Sequence, residues 1–282
     1  MNDAGKPGAD LRVASFNANG LRAAVRRGFD GWLKDRDPDI VGLQEVRATV
    51  DQLPLLDGYH SSYHPGALAG RNGVAVLTKD APVAVRLGFG NQRFDPEGRY
   101  LEVDLAPSRG RPGLTIASLY LPKGDRPVDG PSAAAKHRRK IAFMRSLRAH
   151  LGRARRAARA ADREFLIMGD FNIAHTALDL RNASANQRNS GFLPDEREWF
   201  TSILGPRTLV DVVRRLHGEQ NGPYSWWTWR GRAFDQDTGW RIDYQLATPE
   251  LARAAVVGGT DREPSYQARM SDHSPVVVDY RL

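Results

Sequence analysis

Five apolar runs carry an unexplained polar residue at or near one end, Asn17, Glu45, Tyr120, the pair Asp170/Asn172 and Asp243, the last of them mid-run, and a sixth run is immediately preceded by Asp272-His273. The sharpest is FLIMGDFN, residues 165–172, in which a buried-strand pattern stops abruptly at a glycine and a carboxylate. Burying a carboxylate without partners costs several kcal/mol, so Asp170 needs a reason to be there. Asp170 and Asn172 alternate with Phe171 and therefore project to one side. Taken alone, the segment reads first as a strand-end turn, because Asp and Asn are ordinary turn formers. The other five places change that reading. If the last strand runs antiparallel to a neighbour, its start lies at the edge where the neighbour ends. All six signals then meet in one acidic, amide-rich pocket with a single histidine.

Oxygen donors with one His and no Cys suit Mg²⁺, with Mn²⁺ as a substitute, rather than zinc. Glu45 leads the metal candidates. Asp170 is placed to orient and deprotonate a water, and Asn172 to donate to the nucleophile or a phosphoryl oxygen. Asp243 can hold the His273 ring in one tautomer and favour its charged form. The chain has no P-loop, no Gly-x-Ser-x-Gly and no His-Glu-x-x-His, so metal-assisted phosphoester hydrolysis is the natural class.

Positioning these groups requires strands over 11–19, 39–45, 72–78, 99–105, 114–120, 165–172, 240–247 and 276–280. Helices are expected over 20–34, 132–161 and 194–204, with loops over 123–131 and 182–191. No linker or short repeat divides the sequence, so residues 11–282 are read as one domain behind a loose tail, residues 1–10. The 282 residues include no cysteine, which excludes a disulfide framework and a thiolate nucleophile. No run reaches the ~18 apolar residues of a membrane span, and a cytoplasmic, nucleoid-associated protein is expected. The formal charge is +8, yet residues 136–163 alone hold eleven Lys/Arg and one acid, Asp162. Outside that stretch thirty basic residues face thirty-two acidic ones, so the basic excess is one helix, read here as a solvated face.

Six motifs in order, SFNANGLR (15–22), GLQE (42–45), LYLPKG (119–124), GDFNIAH (169–175), GWRIDY (239–244) and SDHSP (271–275), resemble the exonuclease III family of apurinic/apyrimidinic (AP) endonucleases. The resemblance spans residues 11–282. It implies an α/β fold, a DNase I-like four-layer α/β/β/α sandwich of two mixed β-sheets flanked by helices. It also implies a monomer that cleaves double-stranded DNA 5′ to abasic sites in base excision repair, leaving a 3′-OH. Activity as a 3′-5′ exonuclease and on 3′ blocks accompanies this in some members. By motif, Asn17, Glu45 and Asp272 match metal-site residues, with Asp170, Asn172 and His273 beside them. Tyr120 matches the active-site tyrosine, Asp170 the residue that activates water, Asn172 the transition-state stabiliser, and Asp243–His273 the Asp–His pair. Trp226, Trp240 and Ile242 match the apolar pocket for a flipped deoxyribose. Asn186 and Asn189 match phosphate contacts, and Arg71, Lys123, Arg126 and Arg230 fall at positions flanking the DNA. Asn19 departs from an aspartate of some members, and Lys123 from an Asn, Gln or Ser. The competing readings are a phosphoesterase acting on another substrate and an idle protein that binds damaged DNA.

Overall fold

The computed structural model describes residues 10–68, 70–108 and 110–282, so most of the expected tail, residues 1–9, lies outside the described residues. Twelve strands among the described residues form two six-stranded sheets. They are β1 (Leu11–Asn17), β2 (Ile40–Gln44), β3 (His60–His64), β4 (Val74–Thr78), β5 (Ala84–Leu87), β6 (Tyr100–Leu105), β7 (Gly113–Tyr120), β8 (Arg163–Asp170), β9 (Val210–Asp211), β10 (Asp243–Ala247), β11 (Ala255–Thr260) and β12 (Val276–Tyr280). The first sheet has the order β11-β12-β1-β2-β4-β3 and the second β5-β6-β7-β8-β10-β9. Both are mixed: β1/β2 and β7/β8 run parallel, and the remaining pairs antiparallel.

Side-chain alternation builds the layers. Leu11 and Val13 of β1 join Val76, Val103, Ile116, Leu166 and Val278 in the core between the sheets. Ala14 and Phe16 of the same strand point outward to α1 (Leu21–Arg26) and α2 (Phe29–Arg36). On the far side, Leu119, Phe165 and Ile167 pack under α3 (Pro131–Ala160), which contributes Phe143, Met144, Leu147 and Leu151. α4 (Ala183–Asn186) is a single turn, while α5 (Pro194–Ile203) adds Trp199 and Phe200 to that outer core. Two short helices, α6 (Val212–His217) and α7 (Pro249–Ala254), flank β9–β11. The architecture is the expected four-layer sandwich.

The contact between the sheets is not wholly apolar. Gln44 Nε2 donates to Ser118 Oγ at 3.0 Å, and Ser118 Oγ donates back to the Leu43 carbonyl at 3.0 Å. Gln245 Nε2 donates to the Val13 and Val276 carbonyls at 3.0 and 3.2 Å, while Tyr280 OH donates to Gln245 Oε1 at 2.9 Å. Buried amides with every partner supplied fix relative position as well as adding stability. These clamps tie the two sheets together close to their shared functional edge.

Several local expectations are corrected. Residues 20–34 form two helices rather than one, because Gly28 takes φ 104°, a left-handed conformation that breaks the first and starts the second. The strand expected over 240–247 begins at Asp243, which therefore opens β10 instead of sitting mid-run. The strands β3, β5, β9 and β11 were not expected. They carry polar or glycine-containing sequences such as HSSYH and AVVGGT, or are very short, and they lie at or next to sheet edges.

Gly169 is the glycine the fold cannot spare. It sits opposite Leu119 in the parallel β7/β8 pair with φ 140°, and a Cβ there would stand 2.0 Å from the Leu119 carbonyl oxygen. Gly169→Ala should cost about 3 kcal/mol or more, from overpacking and left-handed strain together. The denaturation midpoint measures it, and an unchanged midpoint would contradict this backbone geometry.

Candidate active site

The strand registers bring the separate signals to one place. Asn17 closes β1 beside Gln44, and Glu45 follows directly. Tyr120 and Asp170 close the parallel β7 and β8 side by side, and Asp243 stands opposite Asp170 at the start of antiparallel β10. His273 precedes β12, whose first residue, Val276, pairs with Ser15 of β1. One cavity of about 270 Å³ is lined by Glu45, Tyr120, Asp170, Asn172, Asp272 and His273, together with Asn19, Lys123, Trp226, Trp240 and Ile242.

At its floor, Asn17 is fully buried and donates its amide to Glu45 Oε1 and Asp170 Oδ2, both at 2.9 Å. Its own carbonyl oxygen accepts the Asn19 N–H at 3.0 Å. Asn17 thus stands behind the carboxylates and aims them, with its oxygen turned away from them. Asp170 serves the turn and the pocket at once. Its Oδ1 accepts the backbone N–H of Asn172 at 2.7 Å, and its Oδ2 takes the side-chain amides of Asn17 and Asn172 at 2.9 and 3.1 Å. Burial raises the Asp170 pKa to about 7; Asp243 and Glu45 push the same way, while His273 and the Asn172 N–H oppose them.

His273 Nδ1 lies 2.8 Å from Asp243 Oδ2, and its Nε2 is 3.9 Å from Asp170 Oδ2. Burial pulls the imidazole down, but Asp243, Asp170 and Asp272 outweigh it and lift the ring to about 10. At neutral pH it is therefore an imidazolium, a donor at both nitrogens. Ser225 Oγ donates to Asp243 Oδ2 at 2.6 Å and so fixes the carboxylate that holds the ring. Asp272 accepts from Trp226 Nε1 at 3.1 Å and from Asn19 Nδ2 at 2.8 Å. Burial opposes its ionisation, yet His273 and these two donors carry its pKa below the ordinary value.

The apolar wall consists of Trp226, Trp240 and Ile242 backed by Ala174, Leu180 and Phe192, with the two indoles edge to face at 6.4 Å. Lys123 Nζ lies 6.0 Å from the Trp226 ring centroid. Trp227 belongs to a separate cluster with Tyr224 and Phe234. Asn186 and Asn189 bond to each other in the loop, Asn189 Nδ2 to Asn186 Oδ1 at 2.7 Å, outside the cavity lining. Arg71 and Arg230 are exposed, and Arg126 pairs with Asp129 at 3.6 Å; none of the three lines the cavity.

Four supporting residues escaped the sequence reading. Arg47 lines the cavity and pairs with Glu45, and both hold left-handed backbones, at φ 51° and 49°. Arg99 lies 4.7 Å from the Tyr120 ring centroid and donates to its carbonyl at 3.3 Å. Lys140 and Glu196 form a fully buried pair at 2.7 Å. Lys140 also donates to the Asn172 and Lys123 carbonyls, and Glu196 accepts the Gly191 and Leu193 N–H groups, so the pair bolts two site loops to α3. A signal existed: Lys140 falls on the same helical stripe as Met144, Leu147 and Leu151, where no solvated lysine belongs.

Side-chain N and O atoms of Glu45, Asp170 and His273 all lie within 4.8 Å of one another, but the imidazolium has no free lone pair, so the buried carboxylates are the groups suited to a metal ion. The two carboxylates are the hard donors of that set. No helix among the described residues is long and apolar enough to cross a membrane.

Comparison with known proteins agrees with this geometry. The model of the endonuclease/exonuclease/phosphatase family matches residues 14–273. The DNA repair nuclease APEX1 of Danio rerio is 31% identical over 276 residues, covering 96% of this chain and 82% of that protein. An exodeoxyribonuclease of Bacillus subtilis is 31% identical over 268 residues, covering 94% of this chain and 98% of its own. The solved structure of an AP endonuclease from Archaeoglobus fulgidus superposes with a TM-score of 0.82 at 28% identity, covering 96% of this chain and all of that one.

Proposed function

The chain belongs to the endonuclease/exonuclease/phosphatase family, and on that premise we propose that it is a DNA-repair phosphodiesterase that cuts double-stranded DNA on the 5′ side of an abasic site, with 3′-5′ exonuclease activity and removal of 3′ blocks as companion activities. The observation that carries this reading is a single cavity with a charged phosphoester-cleaving floor on one side and an apolar wall of Trp226, Trp240 and Ile242 on the other. A base-less sugar suits such a wall, because it is small, has an apolar face and leaves the helix without breaking a base pair.

The donor set fits Mg²⁺, or Mn²⁺ in its place, held by Glu45 and Asp170, with Asp272 and Asn17 fixing the surroundings. When bound, the cation supplies charge neutralisation at the phosphoryl oxygens. The chain's own groups do the rest. Asp170, held by the Asn17 and Asn172 amides, takes the proton of the attacking water. His273, locked by Asp243, presents its Nε2–H to a phosphoryl oxygen, so that charge developing there meets a preorganised donor. Asn172, whose side-chain amide donates to Asp170 Oδ2 at 3.1 Å and to the Leu121 carbonyl at 2.9 Å, holds that carboxylate in place beside the reacting group. The Tyr120 hydroxyl stays protonated, since burial raises its pKa and Glu45 and Asp170 add to that rise. Lys123, at the rim, meets a flanking phosphate.

The test is a 5′-labelled duplex with one abasic analogue, incubated with and without Mg²⁺ and resolved on a denaturing gel. One Mg²⁺-dependent product ending 5′ to the analogue in a 3′-OH is expected. Equal turnover of a soluble phosphoinositide, or binding without nicking, would replace this reading by one of its competitors.

A further inference from the structure

α3 carries a feature that the pocket does not use. Its thirty residues contain ten Lys/Arg and no Asp or Glu. Lys140 is buried, Lys136 pairs with Asp125, Arg139 pairs with Glu97, and Arg155 donates to the Arg207 carbonyl. Arg138, Arg145, Arg148, Arg153, Arg156 and Arg159 are exposed and have no carboxylate partner among the described residues. At 3.6 residues per turn these six fall within an arc of about 140°, centred opposite the buried stripe. Arg138 and Arg159 lie 21 residue steps apart, or about 32 Å at 1.5 Å per step, close to one turn of B-form DNA at about 34–36 Å.

A helix face that is merely solvated interleaves Glu with Lys or Arg and gains from i,i+4 pairs. Here the spacing does the reverse. Arg145/Arg148, Arg153/Arg156 and Arg156/Arg159 are like-charge neighbours three apart, and each destabilises the free helix. Among the described residues no carboxylate meets this face, and the counter-charge it lacks is one a partner can bring. Its class follows from what the face lacks. A helix lying on a lipid surface needs exposed apolar side chains, and a single-stranded nucleic acid needs exposed aromatic platforms. Past its first residue, Pro131, α3 exposes no apolar side chain larger than alanine and no aromatic one, its one aromatic ring apart from His being the buried Phe143. A regular double-stranded phosphate backbone asks only for charge and reach.

We propose that the outer face of α3 is a second, non-catalytic DNA site that takes the backbone of an undamaged duplex segment distinct from the one in the pocket. The placement permits two segments. Lys140, near the start of α3, bonds loops of the pocket, whereas the end of the helix lies near Arg163, at the opposite end of β8 from Asp170. The stripe thus leads away from the cavity across the outermost layer. It would raise local DNA concentration and keep the protein near the duplex between cuts. This inference builds on the DNA-repair reading, but its measurement needs no turnover.

The experiment is fluorescence anisotropy on an undamaged 40-base-pair duplex across a salt series. It compares wild type, a variant with Arg→Gln at all six positions, and one with Arg→Lys at all six. The slope of log K against log salt becomes shallower by about 0.9 for each phosphate that is no longer neutralised. In the Gln variant the slope should be shallower by about three to five, and in the Lys variant by less than about one. Nicking of a 12-base-pair abasic duplex, too short to engage both sites, should stay within about twofold of wild type in both variants. An unchanged slope in a folded Gln variant would overturn the proposal. So would loss of wild-type binding to anionic phospholipid vesicles, with the duplex slope intact, on removal of the six charges. If wild type fails to nick abasic DNA yet the slope falls as stated, the second site stands and the catalytic reading falls.

Discussion

Asp170→Asn should lower kcat on abasic duplex toward the upper end of the 10²–10⁴-fold range of a positioned base, about 10³–10⁴, while the dissociation constant for the same duplex changes by less than about threefold. The substitution keeps the volume and one oxygen, so the acceptor of the Asn172 N–H survives and the turn is preserved. What disappears is the negative oxygen between the Asn17 and Asn172 amides, and with it the proton acceptor that the proposed mechanism requires. The pH dependence carries a sign. A carboxyl raised to about 7 is protonated below that value and ionised above it, so in the metal-free protein Asp170 should release its proton as pH rises through about 7. Infrared difference spectroscopy of wild type against Asp170→Asn reads that step directly. Wild-type turnover in the variant would remove Asp170 from water activation.

The second large effect belongs to Asp243→Asn, for which a kcat loss of about 10²–10³-fold is expected on the same scale. Asp243 is the strongest of the groups lifting His273 to about 10 against burial. Without it the imidazole should fall back toward its ordinary 6.5. The basic limb that the His273 ionisation imposes on the pH–rate profile, expected near 10 in wild type, should move down accordingly. Stability follows the same linkage. A histidine with a raised folded pKa contributes stability that is complete below 6.5 and lost as pH rises through about 10. Melting temperatures between about pH 6 and pH 10 should therefore fall in wild type more than in Asp243→Asn. An unmoved basic limb would show that Asp243 does not govern His273.

The layers and the cavity floor are legible in the sequence because both rest on strong local signals. Apolar runs ended by misplaced polar groups are visible at Asn17, Glu45 and Asp170, Asp243 stands out as a carboxylate within one, and the motif order supplies their company. Residues whose role is set by tertiary neighbours are not legible in the same way. Arg47 and Arg99 look like surface arginines until Glu45 and Tyr120 are placed beside them. Lys140 stands in a basic run whose overall charge hides its position on the buried stripe. Short edge strands such as β3 and β5 lack the apolar alternation that marks a strand. Charge density alone makes residues 136–163 read as a solvated face. Only the exposure and pairing of each side chain separate the six free arginines of α3 from its four engaged basic residues.

The cavity is assembled from both sheets, and the sheets close in an order set by the chain. Asn17 lies on the first strand and His273 just before the last, with β1 and β12 paired directly. A nascent chain that has emerged as far as β11 already carries Glu45, Asp170 and Asp243, but neither the imidazolium nor the strand that completes the first sheet. The cavity is therefore closed only when the stretch from His273 onward has folded and β12 has taken its place against β1, so the last part of the chain to be made sets the moment at which the pocket becomes whole.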